Sequence, residues 1–392
     1  QIDMNVDGTI TDEYVSKEAV SGSDVILTID SKLQAVTEQA LADNINKIAN
    51  HGFSQENNPA DAGAAVVLNV KTGEVIAMAS YPDYDPSAFV NGIDTNTWNY
   101  YINGDTKPLE NKAISAMYSP GSTYKMLSSV ASLTEGVING NSYISCSGVF
   151  DKITPSPKCW IYPSAHGSLN VVGALQHSCN DFFYEVGYRL GQDSNGNYDS
   201  DTGLEKLAKY AKMFGFDQTS GIEIPESQPQ ISDFDSVRSA IGQGTNNYTV
   251  SQINRYVTAV ANRGTVYSLS LIDKTTDSNG KLIKDYTPEV VNQMDEISSS
   301  TWDLVHNGME SMVKSSSTFA GMDISMGGKT GTAQYSKMHA DNVLFVGYAP
   351  ADSPEISIAV RIANAEQASI LHCQAGDPLF LLQKTCFAVD GT

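Results

Sequence analysis

Ser119-Pro120-Gly121-Ser122-Thr123-Tyr124-Lys125 divides a strand-and-loop part of the chain from a helical part. Pro120 suits the start of a helix, because its φ is already helical and its missing N–H would have no partner there. The apolar residues after Lys125 continue that helix, and Gly136 is placed to close it. Ser122 then lies at the positive end of the helix dipole, with Lys125 one turn further on the same face. A lysine so placed is able to take the serine proton if burial or a second cation lowers its pKa.

Toward the N-terminus, Ala64–Val70 and Val75–Ser80 flank Lys71-Thr72-Gly73 and read as a hairpin. Before them Val25–Ile29 is strand-like, and Asp30 caps a helix with Leu33, Ala40, Leu41, Ile45 and Ile48 on one stripe. Residues 81–119 read as loop. Toward the C-terminus, Asn170–His177, Asp181–Leu190, Leu204–Phe214, Val250–Asn262 and Trp302–Lys314 read as helices. Three strands follow, at Ile324–Gln334, Val343–Tyr348 and Ile356–Ile362. A sheet of five strands drawn from both chain ends, with a helical middle, is an α+β architecture.

The chain has 392 residues and a net charge of −21. That charge excludes a nucleic-acid binder, which needs clustered Lys and Arg. No apolar run approaches the ~20 residues of a membrane span. The chain opens on Gln1 without a charged-then-apolar leader. Residues 1–24 are polar, and we read them as an irregular linker from an upstream pedestal that this chain lacks.

Three short patterns carry chemistry, and each recurs in a bland form. Ser-x-x-Lys occurs at Ser122, Ser278 and Ser311, but only Ser122 opens an apolar helix. Ser-x-Asn occurs at Ser168–Asn170, where Asn170 reads as a helix cap, and at Ser178–Asn180, in a break between two helices. In an extended turn Ser178 and Asn180 would share one side and Cys179 would face away. Lys-Thr-Gly occurs in the hairpin at Lys71 and inside a strand at Lys329-Thr330-Gly331-Thr332. Glycines in a strand let another backbone approach, and Lys329 offers positive charge to a carboxylate.

In order, Ser178 follows Ser122 by 56 positions (178 − 122) and Lys329 follows Ser178 by 151 (329 − 178). With the stretches DVILTIDSKLQ (Asp24–Gln34), AAVVLNVKTGEVIAMASYPDYD (Ala64–Asp85), IGQG (Ile241–Gly244) and GGKTGTAQ (Gly327–Gln334), this set resembles the transpeptidase domain of class B penicillin-binding proteins. The likeness is closest to the elongation-type penicillin-binding protein 2 group, over roughly residues 20–363.

The resemblance implies a five-stranded antiparallel sheet flanked by helices, with an all-helical subdomain, as in serine β-lactamases. It implies a transpeptidase domain over 25–363, acting on stem peptides ending in D-Ala-D-Ala and acylated by β-lactams. Ser122 would be the nucleophile, Lys125 the general base, Ser178 a proton relay, and Asn180 a holder of Lys125 and the substrate amide. Lys329, with Thr330, Gly331 and Thr332, would bind the terminal carboxylate. No catalytic cofactor is implied. The location would be the extracytoplasmic face of a bacterial membrane, with a membrane glycan polymerase as partner. A β-lactam sensor, or a D,D-carboxypeptidase or β-lactamase, would share the same chemistry.

The five cysteines are too few for a disulfide scaffold. Cys146, Cys159 and Cys179 share a window with His166, and three sulfurs with one imidazole suit tetrahedral structural zinc. Some penicillin-binding protein 2 relatives carry zinc in this region. Buried free thiols, or one disulfide plus a spare, are the alternatives. Residues 364–392 do not follow the family pattern. Gln243 is read as part of a tight turn that alone accounts for its flanking glycines, and Met309 and Met312 as core. His51, His177, His306, His339 and His372 are read as surface or packing residues, and Trp98, Tyr100 and Tyr101 as a packed loop.

Overall fold

The computed structural model describes residues 2–14, 21–50, 60–333 and 341–365. They fall into two units. One comprises Gln1–Leu27 and Ile272–Thr287, the other Thr28–Leu271 and Pro288–Thr392.

In the smaller unit Ile2–Met4 pairs antiparallel with Ile10–Glu13, and Asp24–Leu27 joins Ile272–Thr276 and Leu282–Asp285 in a three-stranded sheet. The irregular reading of residues 1–24 therefore misses a hairpin. Its strands are short and solvent-facing, and the alternation of Ile2, Met4 and Val6 with polar residues is the one signal that marks the first of them.

The larger unit begins with α1 (Ser31–Ala49), whose cap Asp30 accepts from the Lys32 and Leu33 amides. β1 (Gly63–Asn69) and β2 (Val75–Tyr81) form the expected hairpin around Lys71-Thr72-Gly73. α2 (Thr95–Asn103), capped by Asp94, lies in the stretch read as loop, and Tyr101 on it is buried while Trp98 and Tyr100 are exposed. Then come α3 (Lys125–Thr134), α4 (Val171–Gln176), α5 (Asn180–Leu190), α6 (Ser200–Met213), α7 (Ser236–Ser239), α8 (Val250–Ala261) and α9 (Ser299–Ser315). β3 (Gly327–Ala333), β4 (Asn342–Ala349) and β5 (Ile356–Ile362) complete the sheet.

The sheet order is β3-β4-β5-β1-β2, antiparallel throughout, with β3 at one edge. Its two faces feed two separate apolar layers. Ala65, Val67, Phe345 and Ile358 pack with Leu41, Ile45 and Ile48 of α1, whereas Ala64, Val66, Leu344 and Val346 pack with α3, α5 and α8. Burial on both faces explains why β1 and β4 read as unbroken apolar runs rather than alternating ones. Met309 and Met312 are buried, and buried His306 bonds through Nε2 to the Val260 carbonyl at 2.8 Å. His51, His339, His372, Gln334 and residues 366–392 lie outside the described residues. Among the described residues no helix is long and apolar enough to cross a membrane.

Candidate active site

The Ser122 turn is a 3₁₀ helix, Gly121–Tyr124, that runs straight into α3. Tyr256 of α8 pegs the junction: its hydroxyl accepts from the Leu127 amide at 2.8 Å and donates to the Thr123 carbonyl at 3.2 Å. Gly121 has φ +53°, and a β-carbon there would collide with the Thr332 carbonyl of β3. Gly242 has φ +75°, donates nothing to that contact but accepts the Gly121 amide at 3.1 Å, and a β-carbon on it would strike the Gly121 carbonyl. Gly331 would place one 2.9 Å from the Thr123 methyl. Three segments far apart in sequence thus meet backbone to backbone. Of the glycines flanking Gln243, Gly242 serves this close approach as well as the turn, so the turn alone does not account for it, while Gly244 lies against Ser232, Ser239 and Phe234.

The Ser178 turn is not extended. It closes α4 as a Schellman motif: the Cys179 amide bonds to the Ala174 carbonyl at 3.0 Å and the Ser178 amide to the Leu175 carbonyl at 3.2 Å. Ser178 occupies the left-handed position, φ +51°, that such motifs usually give to glycine. Asn180 then starts α5, with Cys179 as its cap. The expected division of side chains holds through this tighter geometry. Ser178 and Asn180 point to Lys125, while the Cys179 sulfur joins a different cluster.

Lys125 and Lys329 are fully buried. The Lys125 ammonium donates to the Asn180 side-chain oxygen at 2.6 Å, the Ser178 carbonyl at 2.8 Å and the Ser178 hydroxyl at 3.2 Å. The Lys329 ammonium donates to the same hydroxyl at 2.9 Å and to the Thr330 carbonyl at 2.8 Å. Phe183, which no sequence signal marked, puts its ring centroid 5.5 Å from the Lys125 nitrogen. Among the described residues neither lysine has a carboxylate within ion-pair distance. Burial pushes Lys125 down to about 7. Burial, and then the charge of Lys125, push Lys329 well below the ordinary lysine value. Two cations that share one hydroxyl in a dry site resist being protonated together. Ser122, one turn before Lys125, is partly exposed between buried Gly121 and Thr123. Thr330 and Thr332 are partly exposed on β3, an edge strand of the sheet among the described residues.

Cys146, Cys159, His166 and Cys179 also converge, with their ligand atoms within 4.8 Å of one another and the thiols unpaired by disulfides. His166 Nδ1 lies 3.5 Å from the Cys146 sulfur and 3.6 Å from that of Cys159. A tetrahedron with ordinary Zn–S and Zn–N bonds has an S···N edge of about 3.6 Å. The hydrogen bond between Cys159 and Cys179 pushes the first thiol down and the second up. The donor set therefore suits a thiophilic tetrahedral ion. Asp181 accepts the Ser147 amide at 2.7 Å and holds the loop after Cys146.

Residues 63–375 match the penicillin-binding protein transpeptidase domain. The chain belongs to that family. It is 27% identical to peptidoglycan D,D-transpeptidase MrdA of Haemophilus influenzae over 93% of this chain and 57% of that protein. It is 30% identical to stage V sporulation protein D of Bacillus subtilis over 90% of this chain and 51% of that protein. Its fold matches Pseudomonas aeruginosa PBP2, solved in complex with WCK 5153, with a TM-score of 0.75 at 26% identity, covering 94% of this chain and 80% of the other. The resemblance drawn from the motifs, to class B transpeptidases of the penicillin-binding protein 2 type, is borne out. The chain spans little more than half the length of these curated relatives.

Proposed function

We propose that this penicillin-binding transpeptidase domain, residues 25–363, cross-links peptidoglycan through an acyl-enzyme on Ser122. The observation that carries the reading is the meeting of Lys125 and Lys329 at one hydroxyl, Ser178, at 3.2 and 2.9 Å. Neutral Lys125 takes the Ser122 proton as Oγ attacks the carbonyl of the penultimate D-Ala. The oxyanion that forms is held by the Ser122 and Thr332 amides, an interaction often worth ~3–4 kcal/mol per donor. The C–N bond then breaks, and the leaving D-Ala amine receives a proton relayed from Lys125 through Ser178. An acceptor amine from a neighbouring stem attacks the ester and releases Ser122. Asn180 orients Lys125 and the substrate amide, while Lys329, Thr330 and Thr332 hold the terminal carboxylate, with Gly331 leaving room. A β-lactam imitates the dipeptide and leaves a slow ester.

Cys146, Cys159, His166 and Cys179 would hold structural zinc, which supplies no reaction step but pins the segment ahead of Ser178. Catalysis needs no cofactor. On the family resemblance the setting would be the extracytoplasmic face of a membrane-anchored protein, with glycan polymerisation left to a membrane partner. Residues 364–392 would be an atypical C-terminal tail, with the domain match ending inside it at residue 375.

Labelling with a fluorescent penicillin tests the reading. Wild type should label and Ser122→Ala should not, with its fold retained. Label on Ser122→Ala removes the nucleophile assignment. Turnover of a D-Ala-D-Ala donor with an amine acceptor separates the transpeptidase from a sensor, which acylates without turnover, and from a carboxypeptidase, which passes the acyl group to water.

A further inference from the structure

The Schellman motif satisfies the Ala174 and Leu175 carbonyls but leaves the His177 carbonyl, at the peptide that leads into Ser178, without a backbone partner among the described residues. That carbonyl accepts instead from the indole N–H of Trp160 at 3.2 Å. Trp160 is well placed to hold it still. It follows Cys159, whose amide is bonded to the Gly148 carbonyl at 2.9 Å, and its ring lies edge-on against His166 with centroids 5.3 Å apart. The indole ring is half-exposed, so its contribution is this one directed bond more than core packing.

We propose that Trp160 is a positioning residue for Ser178, acting through the His177 carbonyl. A non-glycine residue at φ +51° is strained and persists only when its surroundings over-determine it. Rotation of the 177–178 peptide is the route by which Ser178 would relax. That rotation would move both the Ser178 hydroxyl and the Ser178 carbonyl, which hold Lys125. The indole N–H has no acceptor character and a single direction, so it locks the peptide plane. This inference rests on the Ser122 acylation reading and not on the metal.

The test is penicillin acylation of the full chain at several drug concentrations, which separates non-covalent binding from the acylation rate constant. Trp160→Phe keeps a ring against His166 but removes the donor. We expect about a tenfold lower acylation rate constant, the loss of one net hydrogen bond, with the binding constant and bound zinc unchanged and the thermal midpoint lowered by no more than about 3 °C. Trp160→Gln keeps an N–H at similar reach and should recover the rate to within about threefold of wild type. The proposal is overturned if Trp160→Phe acylates within about twofold of wild type, if Phe and Gln fall equally, or if the loss appears only together with metal loss or melting. A wild type that takes no label overturns the acyl-enzyme reading itself, and this inference with it.

Discussion

Lys71-Thr72-Gly73 and Lys329-Thr330-Gly331 are the same tripeptide in opposite circumstances. Lys71 sits in a hairpin with 62% of its side chain exposed, 3.4 Å from the equally exposed Glu355. Lys329 is fully buried, bonds to Ser178 and has no acid beside it among the described residues. Ser168–Asn170 and Ser178–Asn180 form a parallel pair. Asn170 caps α4 by accepting the Gly173 amide at 3.0 Å, whereas Asn180 holds Lys125 at 2.6 Å. Reactivity here belongs to what surrounds the residues. A buried ammonium that shares a hydroxyl with another is available for proton transfer, and a solvated one with a surface partner contributes almost nothing.

Substitutions can break this comparison. The largest effect should follow Lys125→Met, which removes the proposed base. Penicillin acylation should slow by about a thousandfold, measured by stopped-time labelling, while Lys71→Met acylates normally. Lys329→Ala should slow it by about a hundredfold. Equal effects at Lys71 and Lys329 would erase the distinction. The pH profile sharpens it. Lys125 must be neutral to act and burial sets it at about 7, so its reactive fraction grows as pH rises. The acylation rate should climb about tenfold from around pH 6 to around pH 8 and then level off. A flat profile would place the base elsewhere.

Two smaller effects concern the serine turns. Ser178→Gly and Ser178→Ala should both acylate poorly, yet Ser178→Gly should be the more stable in urea titration by about 1 kcal/mol, because glycine relieves the left-handed strain. Asn170→Ala should lose about 1 kcal/mol of stability as a lost cap, with acylation nearly intact.

Much of this was legible in sequence because it is local. Of the five sheet strands, β1 and β4 carry nearly continuous apolar runs, whereas β3 is marked by its glycines and the Lys-Thr-Gly motif rather than by apolar residues. The three motif groups stand in the expected order. α2 was missed because Thr-Asn-Thr-Trp-Asn-Tyr-Tyr-Ile-Asn has weak helix propensity, and only the Asp94 cap marks its start. The 2–13 hairpin was missed because it buries no face. In the site, the Tyr256 peg, the Phe183 ring and the Trp160 bond join residues many positions apart, and no spacing rule reports such contacts. The left-handed Ser178 was hidden for another reason: its position asks for glycine, and the side chain is present in spite of the backbone.

The seam where Gly121, Gly242 and Gly331 touch sets limits on how this protein can change. A methyl group at any of the three would act as a shim, prying the nucleophile turn off the edge strand. Substitution cannot pass through those positions without shifting the Ser122 turn against β3. Variation that keeps this seam closed has to accumulate where side chains face solvent away from it, as Trp98 and Tyr100 of α2 do, and a side chain can grow or shrink without moving a backbone.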